Sequence, residues 1–149
     1  MSKDLTFVVP TFKGLDRLVV LCKWLNRQDF KGELVAVISY EIFNTDSFAS
    51  YPFLTCIHSP GTGVLEAMRI GFDSVQSKYC TYLGDDDLPS LSGATACCEF
   101  LDINDHYGSA WGVSSFIDFT CSLEPIICLS IWFDLNNTCS QIQNLFLLL

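Results

Sequence analysis

The chain has 149 residues, half of them hydrophobic, with 12 Phe and a formal net charge of -9. That length suits one domain with its own core, the composition argues against disorder, and the negative balance argues against a nucleic-acid surface. The charge is also unevenly spread: all 8 Lys and Arg lie at or before Lys78, and residues 79–149 carry acidic side chains with no basic one. A phosphorylated ligand would therefore need positive charge from a metal ion or from the first half of the chain. The opening MSKDLTF lacks the pattern of a signal peptide, and no run reaches the ~18 apolar residues of a membrane helix, so a cytoplasmic location is expected. The eight Cys, at 22, 56, 80, 97, 98, 121, 128 and 139, include no CxxC pair. They read as buried or free thiols, which behave as small hydrophobes, rather than as disulfides or a zinc site.

LTFVVP, 5–10, is a short apolar run ended by Pro, as expected of a strand covered on both faces. In 15–28, Leu15, Leu18, Val19, Cys22 and Leu25 share one helical face, with Asp16, Arg17, Lys23 and Asn26 mostly off it. ELVAVIS, 33–39, is a second buried strand. Residues 41–52 read as loop from their Asn, Asp, Ser and Pro content. LTCIHS, 54–59, is a third strand, and PGTG, 60–63, a turn. In 64–78 the pattern is helical, with Leu65, Met68, Phe72 and Val75 on one side. YCTYLG, 79–84, is a fourth strand, a helix follows over about 90–104, and 106–119 reads as turn then strand. Residues 120–149 have no clear period, are interrupted by Pro125 and end in LFLLL, an apolar terminus that suggests peripheral membrane contact or self-association. Strands alternating with helices predict an α/β domain with a mainly parallel sheet, whose ligands sit beyond the carboxyl ends of the strands.

Asp85, Asp86 and Asp87 fall at one such end. Adjacent carboxylates repel, and burial makes each harder to ionise. A divalent cation would relieve both, and Mg²⁺ takes one or two carboxylates together with substrate phosphates. The other reading is an acidic turn in which Asp87 or Ser90 caps the next helix. His58 and His106 are lone histidines and suggest no Ser-His-Asp arrangement.

LTFVVPTFKGLDRLVVLCKWL, GTGVLEAMRIGF and KYCTYLGDDDL, in this order over about residues 5–112, resemble the family 2 glycosyltransferases. The resemblance implies a GT-A-like (Rossmann-like) three-layer α/β sandwich, with residues 1–119 as the nucleotide-sugar-binding domain and 120–149 as an atypical tail. It implies sugar transfer from a nucleotide diphosphate donor to a saccharide or lipid-linked acceptor, in pathways such as cell-wall or capsule polysaccharide synthesis. GDDDL resembles the family's DXD-type motif, so Asp85, Asp86 and Asp87 would hold Mg²⁺ or Mn²⁺ on the diphosphate. Gly84 stands where many members have the first Asp, which leaves open which pair binds the ion. Pro10, Thr11 and Phe12 would contact the nucleotide, as would Asp85 and Asp86. Gly63, Ala67 and Gly71 match the family's Gly-containing helix, with Arg69 one position from the family's Arg. At the end of the second strand, where the family has an Asp, Glu41 would serve if the loop shifts by two residues. The general base is not assigned: past Gly112 the likeness fades, and Asp118, Glu124 and Asp134 are the acidic residues left. The alternatives are a truncated non-catalytic nucleotide-sugar-binding module and, last, a sugar-phosphate nucleotidyltransferase faintly echoed by Lys13-Gly14.

Overall fold

The computed structural model describes residues 4–40, 46–104, 107, 109–116 and 126–134. In chain order the elements are β1 (Leu5–Thr11), α1 (Leu15–Arg27), β2 (Glu33–Ile38), β3 (Leu54–His58), α2 (Val64–Ser74), β4 (Tyr79–Tyr82), α3 (Leu91–Ile103), β5 (Ser109–Phe116) and β6 (Ile126–Asp134), with a short 3-10 turn at Asp46–Phe48. They form one six-stranded sheet in the order β3-β2-β1-β4-β6-β5. The first four strands are parallel to one another; β6 runs antiparallel to both β4 and β5. The fold is thus the expected α/β sandwich with a mainly parallel sheet. β6 lies in the stretch that has no readable period, and its place beside β4 comes from long-range pairing.

Both faces of the central strands are covered, which is why they read as unbroken apolar runs. Leu5, Phe7 and Val9 of β1 and Leu34 and Ala36 of β2 pack with α1 and α3. Val8, Val35 and Val37 point the other way and pack against the layer built by α2. The face of α2 is the expected one only in part: Val75 and Phe72 do pack against Val8 and Cys80, but the helix rests on smaller residues than expected. Its buried residues are the small Ala67 and Gly71, whereas Leu65 is exposed. A Cβ on Gly71 would lie 2.3 Å from Val8 Cγ1 and 3.2 Å from Val37 Cγ2, so a glycine there lets the helix backbone rest on the sheet. Among the described residues Cys22, Cys56, Cys80, Cys97 and Cys98 are free thiols, and burial pushes Cys22, Cys80 and Cys98 up to about 12.

The strand order makes the crevice. From β1 the chain steps outward through β2 to β3, then returns across β1 to place β4 on its other side. The boundary between β1 and β4 is therefore the topological switch point. The two strands also differ in reach. β4 pairs with β1 from Leu5↔Tyr79 to Val8↔Tyr82, whereas β1 continues beside β2 to Thr11↔Ile38. The last β4-side bond is Leu83 N–H to Val8 C=O at 2.9 Å. Pro10 falls just beyond it, so its missing N–H leaves no ladder bond unmade in an interior strand.

Candidate functional site

A pocket of about 400 Å³ opens at this switch point. Its walls are the end of β1 (Pro10, Thr11) and the two residues after it (Phe12, Lys13), Ser39 after β2, Asp85 after β4, Arg17 of α1, and the start of α2. Each wall is pinned. Ser39 N–H donates to Thr11 C=O at 2.9 Å, the Ser39 and Thr62 hydroxyls bond at 2.8 Å, and Thr62 Oγ1 donates to Ser59 C=O at 2.6 Å. These bonds fix the PGTG turn against β2. Among the described residues no side chain caps α2, whose N-cap is Gly63. Its first N–H groups, at the positive end of the helix, thus lie at the pocket wall without a side-chain acceptor.

Asp85 is the anchor of the site. Thr11 Oγ1 donates to its Oδ2 at 2.6 Å, and Arg17 grips both oxygens, Nε to Oδ1 at 2.9 Å and Nη2 to Oδ2 at 3.2 Å. The Asp85 side chain is 11% exposed and that of Arg17 57%. The bonded carboxylate raises the Arg17 pKa further, first through the hydrogen bond and then through charge, with a smaller effect from Asp86. Gly14, just before α1, makes room for the pair. A Cβ there would lie 1.9 Å from Asp85 Oδ2, 2.6 Å from its Cγ and 2.9 Å from Arg17 Nη2.

The other two aspartates do different work. Asp87 Oδ2 accepts from Gly84 N–H at 2.9 Å, and Asp87 N–H donates to Gly84 C=O at 3.2 Å, closing the turn on itself. Asp86 is exposed and makes no hydrogen bond among the described residues. A Cβ on Gly84 would meet Asp87 Oδ2 at 2.8 Å and Asp86 Oδ1 at 2.9 Å, so a small residue lets both carboxylates fold back over it. The nearby Tyr82 hydroxyl is pushed up by burial and then by Asp87, Asp86 and Asp85. Capping of α3 falls to Ser90, whose Oγ accepts from Gly93 N–H at 3.2 Å. Asp87 is not the cap of that helix. Trp24 Nε1 donates to Pro89 C=O at 3.1 Å, tying the end of the aspartate turn to α1.

At the rim, Phe12 is 56% exposed and meets Tyr40 edge-on, ring centroids 5.8 Å apart. Lys13 Nζ lies 5.4 Å from the Phe12 ring centre and 5.8 Å from that of Tyr40. Such a contact holds a cation beside an aromatic surface.

Of the residues singled out in the sequence, Pro10, Thr11, Phe12 and Asp85 come together in the pocket, with Asp86 and Asp87 in the adjoining turn. Arg69 does not join them: on the outer face of α2 it pairs with Glu66 through Nε at 2.9 Å and with Asp73 through Nη1 at 2.5 Å. Glu41, His106, Asp118 and Glu124 lie outside the described residues, and of Asp134 only the strand backbone is described. No motif in the sequence marks Arg17, Ser39 or Thr62 as a site residue, and Gly14 enters only through the Lys13-Gly14 echo, not as the seat of Asp85. One signal pointed to Arg17: carboxylates in a basic-free half must find their cation in the other half.

The carboxylates fit a divalent ion only in part. Among the described residues no three acidic, His or Cys side chains converge as a ready cation cage. Both Asp85 oxygens already accept hydrogen bonds, whereas Asp86 has unengaged oxygens. One or two carboxylates with diphosphate oxygens suffice for Mg²⁺, so the donor set is compatible with an ion that arrives with its substrate.

No protein-family model matches the chain, and no curated protein matches it. Solved structures share its fold. A structure of Staphylococcus aureus TarS 1-349 aligns over 95% of this chain and 49% of its own length, with TM-score 0.65 and 13% identity. TarS 1-349 in complex with UDP-GlcNAc aligns over 95% of this chain and 47% of its own, with TM-score 0.64 and 11% identity. The mannosyltransferase PcManGT from Pyrobaculum calidifontis, in complex with GDP-Man and Mn²⁺, aligns over 66% of this chain and 32% of its own, with TM-score 0.55 and 18% identity. At these identities the likeness establishes the fold, and the chain spans about half or less of the proteins it matches. Among the described residues no helix is long and apolar enough to cross a membrane.

Proposed function

We propose that the chain is the donor-binding part of a glycosyltransferase of family 2 type, taking a nucleotide-diphosphate sugar at the pocket between β1 and β4. The observation that carries this reading is the convergence there of an exposed aromatic rim, an uncapped helix start, a cationic pair and the aspartate turn. In it Phe12, beside Tyr40, offers a face on which a base stacks. Pro10 and Thr11 line the floor beneath, and the diphosphate lies toward the amide end of α2, where backbone N–H groups favour anions. Asp86 and Asp87 are the carboxylates with capacity to hold Mg²⁺ or Mn²⁺, which when bound would neutralise the diphosphate leaving group as a Lewis acid. The acceptor is a saccharide or a lipid-linked saccharide, met at a peripheral membrane surface or in solution.

A second reading has its own support. What the pocket brings together, an aromatic rim, a helix start and a cation, serves binding, so the same geometry suits a nucleotide-sugar-binding module that does not catalyse transfer. Calorimetric titration with UDP and GDP, with and without Mn²⁺, tests the donor site. Saturable binding that strengthens with the ion is expected, and a folded chain that binds neither nucleotide sinks the proposal. Donor hydrolysis or transfer then separates enzyme from module.

A further inference from the structure

We infer that Arg17 is the diphosphate-binding cation of this pocket, and that Asp85 serves as its positioning residue rather than as a metal ligand. This rests on the donor-site reading above and assigns the residue that recognises the anionic part of the ligand. A guanidinium has five N–H donors in a rigid fork. Two of Arg17's are spent on Asp85, and the remainder belong to a side chain more than half exposed and lining the pocket. Asp85 fixes the fork from behind. It is mostly buried, held also by Thr11, and seated in a gap that exists because residue 14 has no side chain. With three donors on its two oxygens, Asp85 is satisfied by the protein itself and gains least from a cation.

The rest of the pocket leaves this task to Arg17. Lys13, the other pocket-lining cation, lies over the Phe12 and Tyr40 rings, on the side suited to a base. Arg69 is paired with Glu66 and Asp73. The second half of the chain has no basic residue to offer. A planar fork matches the oxygens of a phosphate in two parallel bonds, which a lysine cannot reproduce.

The test is calorimetry on the full chain with UDP, uridine and inorganic pyrophosphate, for wild type, Arg17→Ala, Arg17→Lys and Asp85→Asn, each checked for folding by circular dichroism. Arg17→Ala is expected to weaken UDP and pyrophosphate about tenfold or more, the value of a charged hydrogen bond, and to leave uridine unchanged. Arg17→Lys should recover only part of this. Asp85→Asn should weaken the same two ligands less, while Mn²⁺ still strengthens UDP binding. Equal UDP affinity in wild type and Arg17→Ala overturns the inference and spares the donor site. So does an equal loss of UDP and uridine, which marks a structural role, or an Asp85→Asn variant deaf to Mn²⁺, which makes Asp85 a metal ligand. If wild type binds no nucleotide, the donor-site reading falls, and pyrophosphate binding that depends on Arg17 still decides the anion site. Absence of pyrophosphate binding to folded wild type overturns it.

Discussion

Gly14→Ala is the sharpest perturbation of the site, because a single methyl probes how Asp85 is seated. Gly14 has φ −86° and ψ 30°, a conformation open to alanine. Backbone strain is therefore not at issue, and on chain entropy alone the change would stabilise by about 0.4–1 kcal/mol. Sterics oppose it. The new Cβ would fall 1.9 Å from Asp85 Oδ2 and 2.6 Å from its Cγ. Asp is too short to swing clear while keeping its bonds, so either the bond to buried Thr11 breaks or α1 shifts. Overpacking of this kind costs about 1–3 kcal/mol, and stranding the Thr11 hydroxyl costs a similar amount. The Arg17 fork is exposed and screened, and adds little to stability. A net loss of about 1–2 kcal/mol is expected, within the usual range of point changes, read as a lower urea midpoint at unchanged slope. The decisive assay is a double-mutant cycle with Asp85→Ala. In that background the atom nearest the methyl is Arg17 Nη2 at 2.9 Å, the far end of a flexible side chain, so Gly14→Ala should become neutral or stabilising. Strict additivity of the two changes, or a single variant as stable as wild type, would refute the assignment of Gly14 as the seat of Asp85.

Two further outcomes follow from the same geometry. Ser90→Ala should cost about 1 kcal/mol by removing the α3 cap, measured by denaturation, whereas Asp87→Ala should leave the helix content of α3 intact; the reverse ranking would restore the aspartate turn as the cap. Burial raises Cys22, Cys80 and Cys98 from 9.0 to about 12. The folded state then holds protons that the unfolded state has released, so their contribution is full below pH ~9 and is lost as pH rises toward 12. A stability profile that stays flat over that range, or rapid modification of these thiols in the native protein at neutral pH, would contradict their burial.

Much of the fold is legible in local pattern, and the exceptions have physical causes. β1 and β2 are readable because a strand covered on both faces is apolar at every position. Part of the buried face of α2 escapes such reading because size-weighted hydrophobicity favours Leu65, while close approach to Val8 selects Gly71 and the small Ala67 packs on Val35 and Val37. β6 escapes because IICLSIWFD has no alternation to mark it as a strand and its place beside β4 depends on residues more than 50 positions away, although Pro125 marks where it begins. At the site, Pro10, Thr11, Phe12 and the aspartates announce themselves at strand ends. Arg17 sits on the polar side of an amphipathic helix and looks like any solvated residue. Its partner lies 68 positions away, and only the separation of positive and negative charge along the chain hints at the pairing.

The attachment of β6 has a consequence for how the molecule assembles. β5 and β6 match over eight positions, from Ser109↔Phe133 to Phe116↔Ile126, yet among the described residues β6 meets β4 only at Tyr79↔Asp134 and Cys80↔Phe133. Strand pairing thus joins the β5–β6 ribbon to the parallel sheet by a seam two residues wide among the described residues, at the end of β4 remote from the pocket, and packing of Ala110 in the main core adds a second hold. During synthesis the β4 edge stays unpaired until residues 133 and 134 emerge, a window in which an open strand edge invites association. Once formed, the ribbon should open as its own foldon, its amides exchanging with solvent at a lower free energy than those of β1 and β2.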